Sequence, residues 1–172
     1  TNGTVTAVGD TDELSAAGAE IVDCQGGVLL PGFVDAHTHL DMVGRRAVEA
    51  DLAGADGPDD CIGRLLAADD GEGWVLGFGY DESDWDGDLL QAATLDRVSA
   101  ERPVAAARED VHTLSVNHAA LDTLDLPGDG VRTEDGAPTG VLVEEAAEAV
   151  FDAIAPDYEQ TREYLLAAQE VA

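Results

Sequence analysis

The stretch Pro31-Gly32-Phe33-Val34-Asp35-Ala36-His37-Thr38-His39-Leu40 decides how the rest of the chain is read. Pro31-Gly32 ends whatever precedes it. Residues 33–40 then read as a buried strand with polar residues in one phase. Strand side chains alternate between faces, so Asp35, His37 and His39 are expected on the same one. Two imidazoles one residue apart on a strand can hold one divalent ion, with zinc–nitrogen distances of about 2.0–2.1 Å. Such an ion lowers the pKa of water from about 15.7 to about 7 and makes hydroxide available near neutrality. Asp35 is suited to orienting one histidine from behind. A bare His-x-His also arises by chance in half-buried strands, so the pair needs its context.

Upstream, residues 4–8 alternate like a strand and Gly9-Asp10 turns. A second strand fits 20–23, Gly26-Gly27 turns, and 28–30 starts a third, giving a small antiparallel β unit. Downstream, 47–53 reads as a strand. Asp56-Gly57-Pro58 opens a helix over 60–68. Residues 73–80 form a strand punctuated by glycines, Thr94 caps a short helix reaching Ser99, and 103–108 is an apolar strand. Asn117 caps a helix over 117–123. Residues 127–140 are loop-rich, 141–143 is a short strand, and helices over 144–154 and 157–172 are separated by Pro156. This mixture predicts a mixed α/β fold class.

The chain has 172 residues. That suits one ordinary domain burying about two-thirds of its unfolded surface, but falls short of the roughly 250 residues of a complete (β/α)8 barrel. It starts at Thr1 without a Met and stops at Ala172 inside a helical pattern, so both ends read as cut boundaries. No run of 18 apolar residues predicts a transmembrane helix, and no secretory signal is visible.

Thirty-seven acidic residues face eight basic ones, for a net charge of −29; all eight are Arg, and Lys is absent. The acids are scattered through patterned, apolar-containing segments, which argues against a disordered acidic tail. Such a surface excludes nucleic acid and anionic membranes as partners. Self-repulsion predicts a fold that gains stability with salt. The spread of acids without Lys looks like the protein of a salt-accumulating halophile; an acidic interaction surface or a bulk cation binder is the alternative. Cys24 and Cys61 lie in unrelated contexts without CxxC spacing and read as free, buried thiols of a cytoplasmic protein, with a single disulfide left open. No GxxxxGK[ST] phosphate loop exists, GFGY is too weakly patterned for a dinucleotide, and no Ser-His-Asp or Cys-His arrangement can be argued from spacing.

The run from Gly26-Gly27-Val28-Leu29-Leu30 through Pro31 to Leu40 resembles the first barrel strand of the amidohydrolase superfamily almost residue for residue. Three later segments narrow the resemblance. Gly73-Trp74-Val75-Leu76-Gly77-Phe78-Gly79-Tyr80-Asp81 is followed by Trp85. Arg102-Pro103-Val104 leads to His112 and then Asn117-His118-Ala119-Ala120-Leu121. Gly136-Ala137-Pro138-Thr139-Gly140-Val141-Leu142 precedes Glu144 and Ala146. In this order they look like the large-insertion, YtcJ-like branch that includes N-substituted formamide deformylases. Two departures stand out: Tyr80 where Trp is frequent, and His118 where a small hydroxyl residue is common.

The resemblance implies a layout. Residues 1–30 would be part of a small β-sandwich, 31–42 the first strand of a TIM-like barrel, 43–139 a large α+β insertion, and 140–172 the return to a barrel strand and helices. It implies a divalent metal, zinc above others and one or two ions, with His37 and His39 as ligands. Many relatives bridge two metals with a carboxylated Lys. This chain has none, so Glu144 is a candidate for that place. Glu144 reads equally as the first acidic residue of a helix, where carboxylates are favoured, and Glu145 competes with it; the GVLxE spacing favours Glu144. His112 is a candidate substrate or oxyanion contact, or else a hydrogen-bonded loop histidine. Trp85 is a candidate pocket residue, whereas Trp74 and Phe78 read as core. His118 reads as structural.

The expected function is therefore hydrolysis of a non-peptide carbon–nitrogen bond, amide or N-formyl, in a small-molecule substrate, with these residues as the N-terminal part of the enzyme. The acid/base Asp and further histidines implied by the resemblance are not in these 172 residues. The alternative is accordingly a catalytically silent fragment, and a weaker one is an acidic cation-binding protein. Oligomeric state stays open, a homo-oligomer included.

Overall fold

The computed structural model describes residues 3–10, 12–14, 18–85 and 87–171. The chain divides into two compact units, Thr1–His37 and Thr38–Ala172.

In the first unit every described residue is exposed and none lies in a regular strand. Backbone turns are present at Glu13 N–H to Asp10 (2.9 Å) and Gly27 N–H to Cys24 (2.8 Å). The strands expected over 4–8, 20–23, 28–30 and 33–40 are not formed. A strand must exchange its backbone hydrogen bonds with a neighbour, and among the described residues of this unit no segment runs alongside another as a ladder. Val28, Leu29, Phe33 and Val34 are consequently 82–93% exposed. Cys24, expected to be buried, is an exposed free thiol, whereas Cys61 is buried.

The second unit is mixed α/β. Its elements are α1 (Leu40–Val48), β1 (Ala50–Asp51), α2 (Pro58–Ala68), β2 (Val75–Tyr80), a 3-10 turn (Glu82–Asp84), α3 (Ala92–Leu95), β3 (Val104–Arg108), β4 (Thr113–Val116), α4 (His118–Thr123), β5 (Val131–Glu134), β6 (Ala137–Val143), α5 (Glu145–Ala153) and α6 (Tyr158–Val171). They build a six-stranded sheet in the order β1-β2-β3-β4-β6-β5. β1, β2 and β3 are parallel; β4, β6 and β5 continue antiparallel. The sheet therefore runs across the boundary expected near residue 140.

The central strands are buried on both faces, which explains their unbroken apolar sequence. Alternation in β3 sorts the core. Val104 and Ala106 join Leu52, Cys61, Leu65, Tyr80 and Leu95 on one side. Ala105 and Ala107 join Phe78, Leu114, Leu142, Ala146 and Val150 on the other. Trp74 packs against that second cluster, and Phe78 lies within it, as expected of core residues.

Leu40 begins a helix where a strand was expected, because the apolar spacing of 40–48 presents one face to the sheet and to α6. The chain must pass close to α6 there. A Cβ at Gly44 would overlap the Tyr164 carbonyl, so only glycine permits the crossing. Beside it Arg45 is buried between the rings of Phe78 and Tyr164, 5.6 and 5.5 Å from their centroids. The strand expected over 47–53 shrinks to the two residues of β1. Thr94 lies inside α3, and Gln91 precedes that helix as its N-cap. The loop expected over 127–140 contains β5 and the first half of β6, while β4 had no strong alternation to announce it. Ala172, the last residue of the final expected helix, lies outside the described residues.

Candidate functional site

Several residues singled out by sequence come from separate elements of the second unit but meet at one end of its sheet. β2 and β3 point their carboxyl ends there, β4 starts there, and β6 finishes there, since Thr113 pairs with Val143. α1 also starts there. Its residues Met42, Val43 and Arg46 line a recess with Gly79, Arg108 and Val111 at the ends of β2 and β3. His39 is the N-cap residue of α1, and its carbonyl accepts the Met42 N–H at 3.0 Å. Carboxyl ends of parallel strands are the usual location of ligand sites in α/β sheets.

At this end His112 and Glu144 are neighbours. The Glu144 N–H donates to the His112 carbonyl at 3.0 Å. The side chains face each other with Nδ1 3.6 Å from Oε2, both largely exposed. Glu144 occupies φ 50°, ψ −118°, a conformation that L residues rarely adopt. It sits on the sharp turn from β6 into α5, so the turn holds its carboxylate out at this end of the sheet. Backbone strain of this kind concentrates at functional positions.

The opposing turn is strained as well. Val111 has φ 54°, unfavourable for a β-branched residue. Asp110 ties the turn down: its carboxylate accepts the N–H groups of His112 and Thr113, each at 3.0 Å. It also accepts from Arg108 at 2.9 Å. Arg108 in turn donates to Glu82 at 2.7 and 3.1 Å and to Asp81 at 3.2 Å. Hydrogen bonding to Glu82, and then to Asp110, pushes the Arg108 pKa up. Hydrogen bonds from Ser83 lower that of Asp81. This clamp holds the turn that carries His112. Sequence offered no signal for it, because Asp81, Glu82 and Asp110 are three acids among 37.

The remaining candidates are distributed. Asp35 Oδ1 accepts the His37 main-chain N–H at 3.0 Å, within the first unit. His37 and His39 are both exposed. Trp85 stacks on Tyr80 with ring centroids 5.9 Å apart and packs against the first core cluster. Tyr80, beneath it, shares a buried 2.8 Å hydrogen bond with Ser115, and burial raises its pKa. His118 Nδ1 lies 2.6 Å from Asp96 Oδ2, and its N–H donates to the same carboxylate, a structural tie between α3 and α4. Asn117 caps α4 as expected. Among the described residues no three His, Cys, Asp or Glu side chains come together in an arrangement that could hold a metal ion. His112 and Glu144 are thus two donors and not a complete cage.

Residues 20–172 match the amidohydrolase family model, and the chain belongs to that family. It is 32% identical over 152 residues to the amidohydrolase YtcJ of Bacillus subtilis (strain 168), covering 80% of this chain and 28% of YtcJ. It is 29% identical over 173 residues to the N-substituted formamide deformylase of Arthrobacter pascens, covering 91% of this chain and 32% of that enzyme. Among solved structures it resembles an uncharacterized metal-dependent hydrolase from Pyrococcus horikoshii OT3. That match has a TM-score of 0.61 and 28% identity, and covers 90% of this chain and 31% of the other. The chain thus spans about a quarter to a third of the length of these relatives.

Proposed function

We propose that this chain contributes to a metal-dependent hydrolase that cleaves carbon–nitrogen bonds of the amide or N-formyl kind in small, uncharged molecules. The observation that carries the reading is Glu144, held in strained backbone on the β6–α5 turn beside His112. Membership of the amidohydrolase family and similarity to a formamide deformylase support the chemistry. The HTH triplet supports His37 and His39 as metal ligands, and the strained turn supports Glu144 as a carboxylate ligand. A divalent ion, zinc first among them, would supply Lewis acidity and activated water. The two donors brought together at this end of the sheet do not by themselves make a full coordination set.

In this reading the chain's own groups do three things. Glu144 presents a carboxylate at the end of the sheet. His112, in its neutral form, offers an N–H to an oxyanion developing on the substrate. The Arg108 clamp keeps the His112 turn from relaxing. In the whole enzyme residues 1–30 would join a β-sandwich and 31–42 would carry the first barrel strand up to the start of α1, with 43–139 an insertion and 140–172 the return toward the barrel. The −29 charge is adapted to a salt-rich cytoplasm.

Calorimetric titration of the full chain with Zn2+ tests the reading, alongside His37→Ala, His39→Ala and Glu144→Gln. Stoichiometric zinc uptake, weakened at least about tenfold in each variant, is expected. Release of amine from N-benzylformamide by the zinc-loaded chain tests the chemistry. Metal uptake unchanged by all three substitutions would show diffuse binding to the acidic surface and overturn the site. Zinc uptake without amine release would favour a fragment that is silent by itself.

A further inference from the structure

The recess at the carboxyl ends of β2 and β3 has a volume of about 140 Å3. Its walls include Met42 and Val43 from α1, Phe78 from β2, Ala107 from β3, and Val111 on the strained turn. Apolar side chains therefore dominate it, and Glu109 is the one carboxylate among the described residues of its wall. The two cations on its rim are already engaged: Arg46 donates to Asp51 at 3.0 Å, and Arg108 is taken by Asp81, Glu82 and Asp110. Neither is left to attract an anion, and the −29 charge of the chain opposes one. Gly79 forms part of the wall at φ 94°, and a Cβ there would come within 3.3 Å of Arg46 Nε. Val111, on the rim, is the residue immediately before His112. A group seated against Val111 is thus one residue from the His112–Glu144 edge.

Resting on the hydrolase reading above, we propose that this recess takes the uncharged apolar substituent of the amide substrate, and that Met42 and Val111 set its size limit. An apolar cavity of about 150 Å3 is enough to hold benzene, so the recess takes an alkyl chain of about six carbons at most or the single ring of a benzyl group. The site then selects N-alkyl or N-benzyl amides over anionic ones and over fused bicyclic ones.

The test is binding of N-methyl-, N-propyl-, N-butyl-, N-benzyl- and N-(naphthylmethyl)formamide to the full chain without metal. Backbone amide shifts of Gly79 and Ala107 report occupancy. Affinity is expected to rise about fourfold per methylene along the alkyl series, to stay high for benzyl and to drop for naphthylmethyl. Met42→Trp fills the recess and should flatten the series. Met42 is only half-buried, so the helix should tolerate it. Val111→Gly opens the rim and should restore naphthylmethyl binding. A flat series in the wild-type chain, shifts centred elsewhere, or an unaltered series in Met42→Trp would overturn the recess. Because binding is read without metal or turnover, a steep series with no hydrolysis supports the recess and counts only against the hydrolase reading. Hydrolysis with a flat series does the reverse.

Discussion

The Glu144 N–H donates to the His112 carbonyl at 3.0 Å, and the two side chains face each other at the end of the β4–β6 ladder, 3.6 Å apart. That backbone bond extends the ladder one residue past the Thr113–Val143 pair. It holds Glu144 at φ 50° although no glycine is present to make the turn easy.

Holding a non-glycine residue in such a conformation costs on the order of 1–3 kcal/mol. Glu144→Gly is expected to be about 1 kcal/mol more stable than Glu144→Ala, since glycine alone adopts this backbone without penalty. Both should bind zinc at least about tenfold more weakly than the wild type. Urea denaturation and zinc calorimetry measure the two effects separately. Equal stability of the Gly and Ala variants would remove the strain argument.

Asn117 is fully buried and its side chain makes four hydrogen bonds. Its Oδ1 accepts from Val104 and Ala120, each at 3.0 Å, and its Nδ2 donates to the carbonyls of Ser99 and Arg102 at 2.7 and 2.9 Å. One side chain thereby joins the start of β3, the approach to it, and the first turn of α4. Asn117→Ala would strand these groups, each unsatisfied one costing about 1–3 kcal/mol, so a loss of at least about 3 kcal/mol is expected. Equilibrium urea unfolding measures it. A loss below about 1 kcal/mol would mean that water replaces the amide.

Burial pushes the Cys61 thiol from its ordinary 9.0 up to about 11. Between these values the unfolded chain has released the proton that the folded chain still holds. Stability from this source is therefore fully present below pH 9.0 and declines as pH rises to about 11. Tyr80 and Tyr164, also raised by burial, add a decline that starts near their ordinary value of 10.0. Cys61→Ala should flatten the earlier part of the slope. Urea midpoints across this range check the prediction, and a mutant slope identical to wild type would refute it. In the same samples Cys24 should alkylate readily and Cys61 should not, because only Cys24 is exposed.

The charge of −29 is spread over the sequence. Raising KCl from about 0.1 M to about 1 M shortens the screening length from about 10 Å to about 3 Å. The melting temperature should rise by roughly 3 °C for every 1 kcal/mol of self-repulsion removed. A melting temperature indifferent to salt would end the halophilic reading of this composition.

Much of the second unit was legible in its sequence. Residues 58–68, 75–80, 104–108 and 145–153 carry the apolar periods and punctuation that local geometry requires, and Asn117 stands where a helix needs a cap. β4 was not legible, because a strand of four residues between a turn and a helix is too short to show a period. The run from Gly26 through Pro31 to Leu40, with the HTH triplet inside it, named the family without help from coordinates. Residues 33–40 were misread as a strand, because alternation fixes which face a side chain takes but not whether a partner strand lies beside it.

The sequence by itself determined the family, the charge and most of the local elements, because these depend on residue type and short-range spacing. Only the tertiary structure decided that His112 and Glu144, 32 residues apart in number (144 minus 112), stand side by side. It also decided that Arg108 clamps the turn beneath them and that α1 closes an apolar recess next to it. Those relationships depend on the register of β4 against β6 and on the seating of α1 against the sheet. Both are settled by long-range backbone pairing and side-chain packing, which no local pattern encodes.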